Sequence, residues 1–199
     1  PFSWSINLWV EGNTLLECFD VDQKQFAKDL AEALHKLQAV DCQNGPEAGK
    51  HNFYRGGDLK IYHQETLNAL KNLENRLPVK RLFQIWETSI STIYKGKKVW
   101  VHGDIAPGNI LLRNNKFYGL IDFGILGTGD PACDYAVAWT YFNEEARRIF
   151  LEGLSGDMIN RARGWALWKA LITYDDIDEH FKQNARYTVD AILREGLND

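Results

Sequence analysis

The chain has 199 residues, of which 45% are hydrophobic and 25% are charged, and its net charge at pH 7 is −4. These values are typical of one globular domain with a single core; they give no argument for nucleic acid as a partner, and no apolar run is long enough to cross a bilayer. Because the first residues also lack the basic start of a signal peptide, we expect a cytoplasmic protein with neither membrane nor nucleic acid among its partners.

The first residues alternate in the manner of a β-strand. Large apolar side chains recur at every second position from Phe2 to Val10 (Phe2, Trp4, Ile6, Leu8 and Val10), and Glu11-Gly12 follows as a turn. The pattern predicts a strand with one apolar face.

Three helices are predicted before the middle of the chain. Asp22 is the expected N-cap of the first, with Gln25 as its capping-box partner, and this helix ends before Gly45-Pro46. The Gly-rich and aromatic stretch that follows is predicted to be an ordered loop, in which Arg55-Gly56-Gly57-Asp58 forms a turn. Apolar periodicity places the other two helices at about 64–77 and 80–94.

Polar residues stand in and beside strand-like runs at the middle of the chain, in the sequence WVHGDIAPGNILLRNNKFYGLIDFG. Residues 110–113 and 117–121 are predicted to form a hairpin through Asn114-Asn115-Lys116, because Asn tolerates positive φ. The hairpin brings Asn109 close to Asp122, and Asp104 lies on the loop after the strand 99–102.

These three polar side chains suit phosphoryl transfer. Mg²⁺ prefers oxygen ligands and usually takes one or two carboxylates together with phosphate oxygens. Asn109 and Asp122 can therefore hold the metal, which leaves Asp104 to position a hydroxyl nucleophile. A metal-dependent hydrolase is a weaker alternative, because no further His or acidic cluster lies nearby in the sequence to complete a two-metal site.

The spacing is also that of the kinase catalytic motif, H-x-D-x-x-x-x-N followed by D-F-G. A glycine follows the histidine where protein kinases carry arginine, and the form HGDIAPGNILL resembles the aminoglycoside phosphotransferase family of kinase-like small-molecule phosphotransferases, which includes antibiotic and choline kinases. Three further stretches carry the resemblance. PFSWSINLWVEG is similar to the family's hinge, GKHNFYRGGDLKIY to a loop of its large lobe, and IDFGILGTGDPACDYAVAW to its metal segment and the helix that follows.

The resemblance implies a role for each residue of the motif. It makes Asp104 the catalytic base and Asn109 and Asp122 the Mg²⁺ ligands. It makes His102 a structural residue that orients the catalytic loop, and Asp134 an acceptor that steadies that loop.

The resemblance also implies a nucleotide co-substrate, ATP or GTP. Trp9 and Val10 stand where the hinge backbone of the family pairs with a purine base, so they are the expected nucleotide-binding residues. A strand followed by Glu-Gly is equally consistent with a simple strand end.

The expected fold is α+β and mostly helical: a protein-kinase-like C-terminal lobe with a small catalytic β-hairpin region, in which the small N-terminal lobe is largely absent. Residues 1–12 are predicted to be a hinge-strand remnant of the small lobe and residues 13–199 the large lobe. Asp130 as N-cap and Pro131 in the first turn predict that the chain is helical from there nearly to its end.

The Gly-rich loop and strand lysine that hold phosphates in kinases precede the hinge, whereas this chain has neither Lys nor Arg before Lys24. A fragment, one half of a split kinase whose second chain supplies or replaces the small lobe, and an inactive remnant all remain possible explanations. We therefore expect the isolated chain to have little activity.

The expected function is Mg²⁺-dependent transfer of the γ-phosphoryl group of ATP or GTP to a hydroxyl of a small molecule. The alternative is a non-catalytic, pseudokinase-like binding module or remnant. The acceptor stays open: an acidic stretch could attract ammonium groups of an aminoglycoside or could be a solvated helix face (Asp175, Asp176, Asp178 and Glu179).

Overall fold

Helices account for most of the secondary structure in the computed structural model, which describes residues 8–195. This confirms the predicted mostly helical α+β class. In that part of the chain no helix is both long and apolar enough to cross a membrane. The helices are α1 (Gln23–Ala39), α2 (His63–Asn72), α3 (Val79–Ile90), α4 (Val137–Thr140), α5 (Glu144–Phe150), α6 (Gly156–Ile172) and α7 (Glu179–Arg194); the strands are β1 (Asn13–Thr14), β2 (Val99–Val101), β3 (Ile110–Arg113), β4 (Lys116–Leu120) and β5 (Gly127–Gly129).

Helix α1 begins where its cap predicts. The Asp22 carboxylate accepts hydrogen bonds from the backbone N–H groups of Lys24 and Gln25 at 3.1 and 3.2 Å, which satisfies two of the free donors of the first turn. The side-chain amide of Gln25, predicted to close a capping box, donates instead to Asp29 at 2.8 Å.

Helices α2 and α3 both end earlier than predicted. After α2, the backbone N–H of Arg76 donates to the carbonyl of Leu73, so the chain turns before Pro78. At the end of α3, the hydroxyl groups of Thr88 and Ser91 donate to backbone carbonyls at 3.0 and 2.7 Å. Such bonds compete with the helical ladder, and α3 stops at Ile90 although apolar residues continue beyond it.

Helix α6 is the centre of the core. It packs against α2, α3 and α7 and against the 3₁₀ segment Pro131–Ala136. Because it has neighbours on nearly all sides, its buried residues are not confined to one stripe. The buried residues of α6 are Arg161, Ala162, Gly164, Trp165, Ala166, Leu167, Trp168, Ala170 and Leu171.

Two small antiparallel sheets are connected by the loop between β2 and β3, which holds the candidate site. One has the order β1-β3-β4 and the other pairs β2 with β5. The hairpin between β3 and β4 is confirmed: Asn114 and Asn115 both have positive φ, 55° and 57°, as a two-residue hairpin turn requires. The 3₁₀ segment Pro131–Ala136 begins at the predicted cap, since the Asp130 carboxylate accepts from the N–H of Ala132.

The N-terminal strand differs from its prediction. Leu8 to Gly12 have no regular secondary structure, and β1 comes after them, where Asn13 and Thr14 pair with Leu112 and Leu111 of β3. Leu8 and Trp9 are 94% and 84% exposed, so they do not form a buried strand face. The predicted positions Phe2, Trp4 and Ile6 lie outside the described residues.

Candidate active site

The loop from His102 to Asn109, called the 102–109 loop, connects β2 to β3 and carries three polar residues of the motif, His102, Asp104 and Asn109. Two hydrogen bonds within its own backbone stabilise the loop. The carbonyl of Asp104 accepts from the N–H of Ala106 at 2.9 Å, and the N–H of Asn109 donates to the carbonyl of Ala106 at 2.8 Å. The loop therefore holds Asp104 in a defined place, although Asp104 itself is exposed.

Asp104 and Asn109 are in direct contact. The side-chain amide nitrogen of Asn109 donates to Oδ2 of Asp104 at 2.9 Å and to its backbone carbonyl at 3.0 Å. The amide oxygen of Asn109 thus faces away from Asp104, and among residues 8–195 neither this oxygen nor Oδ1 of Asp104 has a hydrogen-bond partner.

His102 is fully buried and holds the loop from inside. Its Nδ1 accepts from the backbone N–H of Asp104 at 3.3 Å, and Nε2 lies 3.0 Å from the carbonyl oxygen of Ile121. An acceptor at Nδ1 and a donor at Nε2 define the neutral tautomer with its proton on Nε2. The half-exposed ring of Phe123 lies against the imidazole, with 4.6 Å between ring centroids.

Asp134 is fully buried beside the same loop. Its two carboxylate oxygens accept from the backbone N–H groups of His102 and Gly103 at 2.8 and 2.7 Å. Burial raises the pKa of the Asp134 carboxyl, and the two N–H donors offset part of that rise. Burial, together with the charge of Asp134, also raises the pKa of the neighbouring Cys133 thiol well above its usual value.

Asp122 follows β4 and is brought next to Asn109 by the hairpin. The N–H of Ile121 donates to the carbonyl of Asn109 at 3.0 Å, so the chain segments carrying the two predicted metal ligands are hydrogen-bonded to each other. Asp122 has a left-handed backbone, with φ of 60°, and its exposed carboxylate accepts from the N–H of Gly124 at 3.3 Å.

The donor set fits Mg²⁺. One carboxylate and one amide oxygen are hard ligands, and this metal usually completes its shell with water and phosphate oxygens. Within residues 8–195, no group of three or more His, Cys, Asp or Glu side chains could hold a metal ion. That observation gives no support to a two-metal hydrolase site.

Trp9 and Val10 precede β1 and are 84% and 44% exposed. The backbone carbonyl of Glu11, next to them, accepts from the Arg113 guanidinium at 3.1 Å, which ties this segment to the hairpin. Their assignment to nucleotide binding stays a prediction.

Three residues of the acidic stretch form ion pairs or cap a helix. Asp175 pairs with Arg76 at 2.8 Å, the Asp178 side chain caps α7, and Glu179 pairs with Lys182 at 2.8 Å. Only Glu179 lies in a helix, whereas Asp175 and Asp176 precede the N-cap of α7, so the stretch is not one helix face, and the acceptor stays open.

One residue at the site was missed by the sequence analysis, which assigned it to a turn. Nε of Arg55 donates to the carbonyl oxygen of Gly103 at 3.0 Å, across a separation of 48 residues. No local spacing links the two positions, so the sequence pattern contained no signal for this contact.

The sequence model of the phosphotransferase enzyme family (APH) matches residues 2–171. A curated relative, "Uncharacterized protein YcbJ" of Bacillus subtilis (strain 168), is 28% identical over 131 residues, which is 64% of this chain and 42% of the relative. The chain thus spans less than half the length of that relative.

Solved structures show the same fold at low sequence identity. The GDP and kanamycin complex of APH(2")-IIia is 16% identical with a TM-score of 0.61, covering 95% of this chain and 70% of that one. A thermostable mutant of aminoglycoside phosphotransferase APH(4)-Ia, in ternary complex with AMP-PNP and hygromycin B, is 19% identical with a TM-score of 0.60 over 95% and 70%. Macrolide 2'-phosphotransferase MphH from Brachybacterium faecium is 17% identical with a TM-score of 0.55 over 94% and 72%. The family match and the kinase-like phosphotransferase fold agree with the motif and its geometry, and the chain belongs to the phosphotransferase enzyme family, as the resemblance to aminoglycoside phosphotransferases indicated.

Proposed function

We propose that this chain carries the catalytic residues of a Mg²⁺-dependent kinase that transfers the γ-phosphoryl group of ATP or GTP to a hydroxyl of a small molecule. The observation that carries the proposal is the hydrogen bonding and exposure of the Asp104 carboxylate. One of its oxygens is held by the Asn109 amide at 2.9 Å, and the residue is exposed on a loop with a fixed backbone. The other oxygen is therefore free to accept a hydrogen bond from an acceptor hydroxyl.

Asp104 is the proposed base. It orients the hydroxyl so that the oxygen faces the γ-phosphorus and accepts the proton as the new O–P bond forms. The bond between the γ-phosphorus and the β–γ bridging oxygen breaks, and the nucleoside diphosphate leaves with that electron pair. Little covalent chemistry is asked of the protein, so most of its contribution lies in positioning.

Asn109 and Asp122 are the proposed metal ligands, through the free amide oxygen of Asn109 and the carboxylate of Asp122. Mg²⁺ held there would neutralise charge on the β- and γ-phosphate oxygens. The hydrogen bond between the Asn109 amide and Asp104 couples this pair to the base, so the geometry of ligand and base is set by one side chain.

His102 and Asp134 are proposed to act through the loop. The neutral imidazole binds the N–H of Asp104, and Asp134 binds the two N–H groups that precede it. These bonds fix the backbone on which Asp104 stands before any substrate arrives, as preorganised catalysis requires.

Solved relatives support the classes of substrate. Two of them are complexes, one with GDP and kanamycin and one with AMP-PNP and hygromycin B, and a third is a macrolide phosphotransferase. By analogy, a purine nucleotide and a hydroxyl-bearing small molecule are proposed as the substrates here, with Trp9 and Val10 at the purine base.

Nucleotide binding tests the first half of the proposal. The full chain is titrated calorimetrically with ATP and GTP, with and without Mg²⁺, and its thermal midpoint is followed in parallel. Mg²⁺-dependent binding supports the site, and the absence of any nucleotide effect contradicts it.

Phosphorylation of kanamycin, choline and homoserine, by the chain alone and with a complementary small lobe added, tests the second half, with Asp104→Asn as the matched inactive control. Transfer by the wild type that the variant lacks supports the enzyme. Nucleotide binding without transfer to any hydroxyl compound contradicts it and favours a non-catalytic binding module.

A further inference from the structure

The peptide group between Gly103 and Asp104 is hydrogen-bonded to side chains at both its N–H and its C=O. Its N–H belongs to Asp104 and donates to Nδ1 of His102 at 3.3 Å, and its carbonyl belongs to Gly103 and accepts from Arg55 at 3.0 Å. Because a peptide unit is planar, bonds at both ends fix the direction of the whole plane. The Cα of Asp104, which carries the carboxylate side chain, belongs to the same planar unit.

The side-chain stem of Arg55 passes close to Gly103. A side chain built on Gly103, whose φ is 84°, would meet Cβ of Arg55 and the carbonyl oxygen of Ile125, each at 3.1 Å. Gly103 is therefore required both by its left-handed backbone and by the close approach of Arg55.

The guanidinium of Arg55 is anchored by aromatic rings. Its Cζ lies 4.9 Å from the ring centroid of Trp165 and 5.1 Å from that of Trp168, and both indoles are buried on α6. Among residues 8–195, Arg55 takes part in no ion pair within 4.0 Å, and its buried Nη1 has no hydrogen-bond partner. In that part of the chain the positive charge is thus held by π faces and directed to a neutral carbonyl, and a charged donor makes the stronger kind of hydrogen bond.

The segment that carries Arg55 is itself fastened to the site. The carbonyl of Gly56 accepts from the N–H of Asp130 at 2.8 Å. Asp130 caps the 3₁₀ segment that contains Asp134, and its carboxylate forms a buried ion pair with Arg161 at 2.7 Å. Arg55 and Asp134 therefore approach Gly103 from one connected framework.

We propose that Arg55 is a positioning residue for Asp104: it sets the plane of the Gly103–Asp104 peptide and so the direction of the Asp104 carboxylate. The catalytic consequence rests on the proposed function, whereas the positioning of the peptide does not. Arg55 does not contact the reacting atoms and acts only through this backbone.

The test compares two variants of the full chain. Arg55→Met keeps a long side chain that packs on the indoles and removes the donor, and Arg55→Lys keeps the charge and one donor. Arg163→Met is the control, because Arg163 also lies over an indole, that of Trp139 at 5.4 Å, but its Nε pairs with Glu195 and makes no contact with the loop.

Amide exchange measured by NMR is the readout that needs no activity. Loss of one hydrogen bond to the peptide is expected to shift the Asp104 amide signal and to speed its exchange about tenfold in Arg55→Met, with a smaller effect in Arg55→Lys and none in Arg163→Met. An Asp104 amide unchanged in Arg55→Met, or changed equally in Arg163→Met, overturns the proposal. If Arg55→Met does not fold, Arg55→Lys decides on the same criterion.

Kinetics is the second readout. Arg55→Met is expected to lower kcat about 10- to 100-fold while KM for the nucleotide stays within about twofold, since misplacement of a reacting group acts on the chemical step. A rise in KM for the nucleotide as large as the fall in kcat contradicts the positioning role. If the wild type transfers no phosphate even with a complementary small lobe added, the proposed function fails, and the amide readout still decides the role of Arg55.

Discussion

Replacement of Asp134 by Asn is the sharpest test of how the 102–109 loop is held. The carboxylate is fully buried and accepts two backbone N–H groups, from His102 at 2.8 Å and from Gly103 at 2.7 Å. An Asn side chain has the same shape but only one acceptor oxygen, so its NH₂ group must face one of the two N–H donors.

The cost follows from one unpaired buried donor. Leaving a buried N–H without a partner costs about 1–3 kcal/mol, whereas Asp134→Ala loses both charge-assisted bonds and is expected to cost about 3–6 kcal/mol. Because a whole domain is stable by only about 5–15 kcal/mol, the Ala variant is close to unfolding and the Asn variant is the measurable one.

Urea denaturation at pH 7 measures the free energy of unfolding. With an m-value of about 2 kcal/mol per M, the expected loss lowers the midpoint by about 0.5–1.5 M. Asp104→Asn is the control, since Asp104 is exposed and is expected to change stability by less than about 1 kcal/mol. A midpoint for Asp134→Asn within about 0.2 M of wild type, at equal m, would refute the reasoning.

The stability difference between wild type and Asp134→Asn is expected to change with pH in one direction. Burial raises the pKa of Asp134 above its value of about 3.9 in the unfolded chain, so between the two values the native state binds a proton that the unfolded chain has lost. The contribution of Asp134 is therefore full below the unfolded pKa and is lost as pH rises through the native pKa. The stability difference between wild type and Asp134→Asn is expected to shrink as pH rises from about 4. A difference that grows over that range contradicts the raised pKa.

Three further predictions concern the proposed chemistry and the framework. Asp104→Asn is expected to lower turnover by orders of magnitude and to leave nucleotide affinity nearly unchanged in calorimetry, because a base acts on the acceptor; equal loss of nucleotide affinity contradicts that role. Asp122→Ala is expected to abolish the gain in nucleotide affinity on adding Mg²⁺, and a variant that still gains affinity from the metal counts against Asp122 as a ligand. Arg161→Met leaves the buried Asp130 without its partner and is expected to cost about 3–5 kcal/mol in urea denaturation, whereas Arg76→Met, which breaks an exposed pair, is expected to cost less than about 1 kcal/mol; similar losses in both would show that burial of the Asp130 pair is irrelevant.

Features encoded by neighbouring residues could be predicted from the sequence. The start of α1 follows from Asp22 and an apolar repeat, and the hairpin follows from two Asn residues that tolerate positive φ. The approach of Asn109 to Asp122 then follows from the hairpin alone, because strands joined by a short turn bring the residues at their far ends together.

Features that depend on residues distant in the sequence could not be predicted. Arg55 meets Gly103 only because its loop, β5 and α6 pack together, and no periodicity encodes that contact. Strand β1 was not predicted for the same reason: Asn13 and Thr14 are strand residues because they pair with β3, whereas the apolar alternation stops before them. The end of α3 was misplaced because hydroxyl groups compete for backbone carbonyls that apolar periodicity does not consider.

Cys133 gives the chain an internal reporter of local opening. Its thiol is 8% exposed next to Asp134, and burial and that neighbouring charge both disfavour the reactive thiolate, whereas Cys18 and Cys42 are partly exposed. Alkylating reagents should therefore modify Cys18 and Cys42 first and reach Cys133 only when the buried segment around Asp134 separates from the residues that cover it. The rate at which Cys133 is labelled in native buffer then measures the free energy of that single separation, apart from the unfolding of the whole chain.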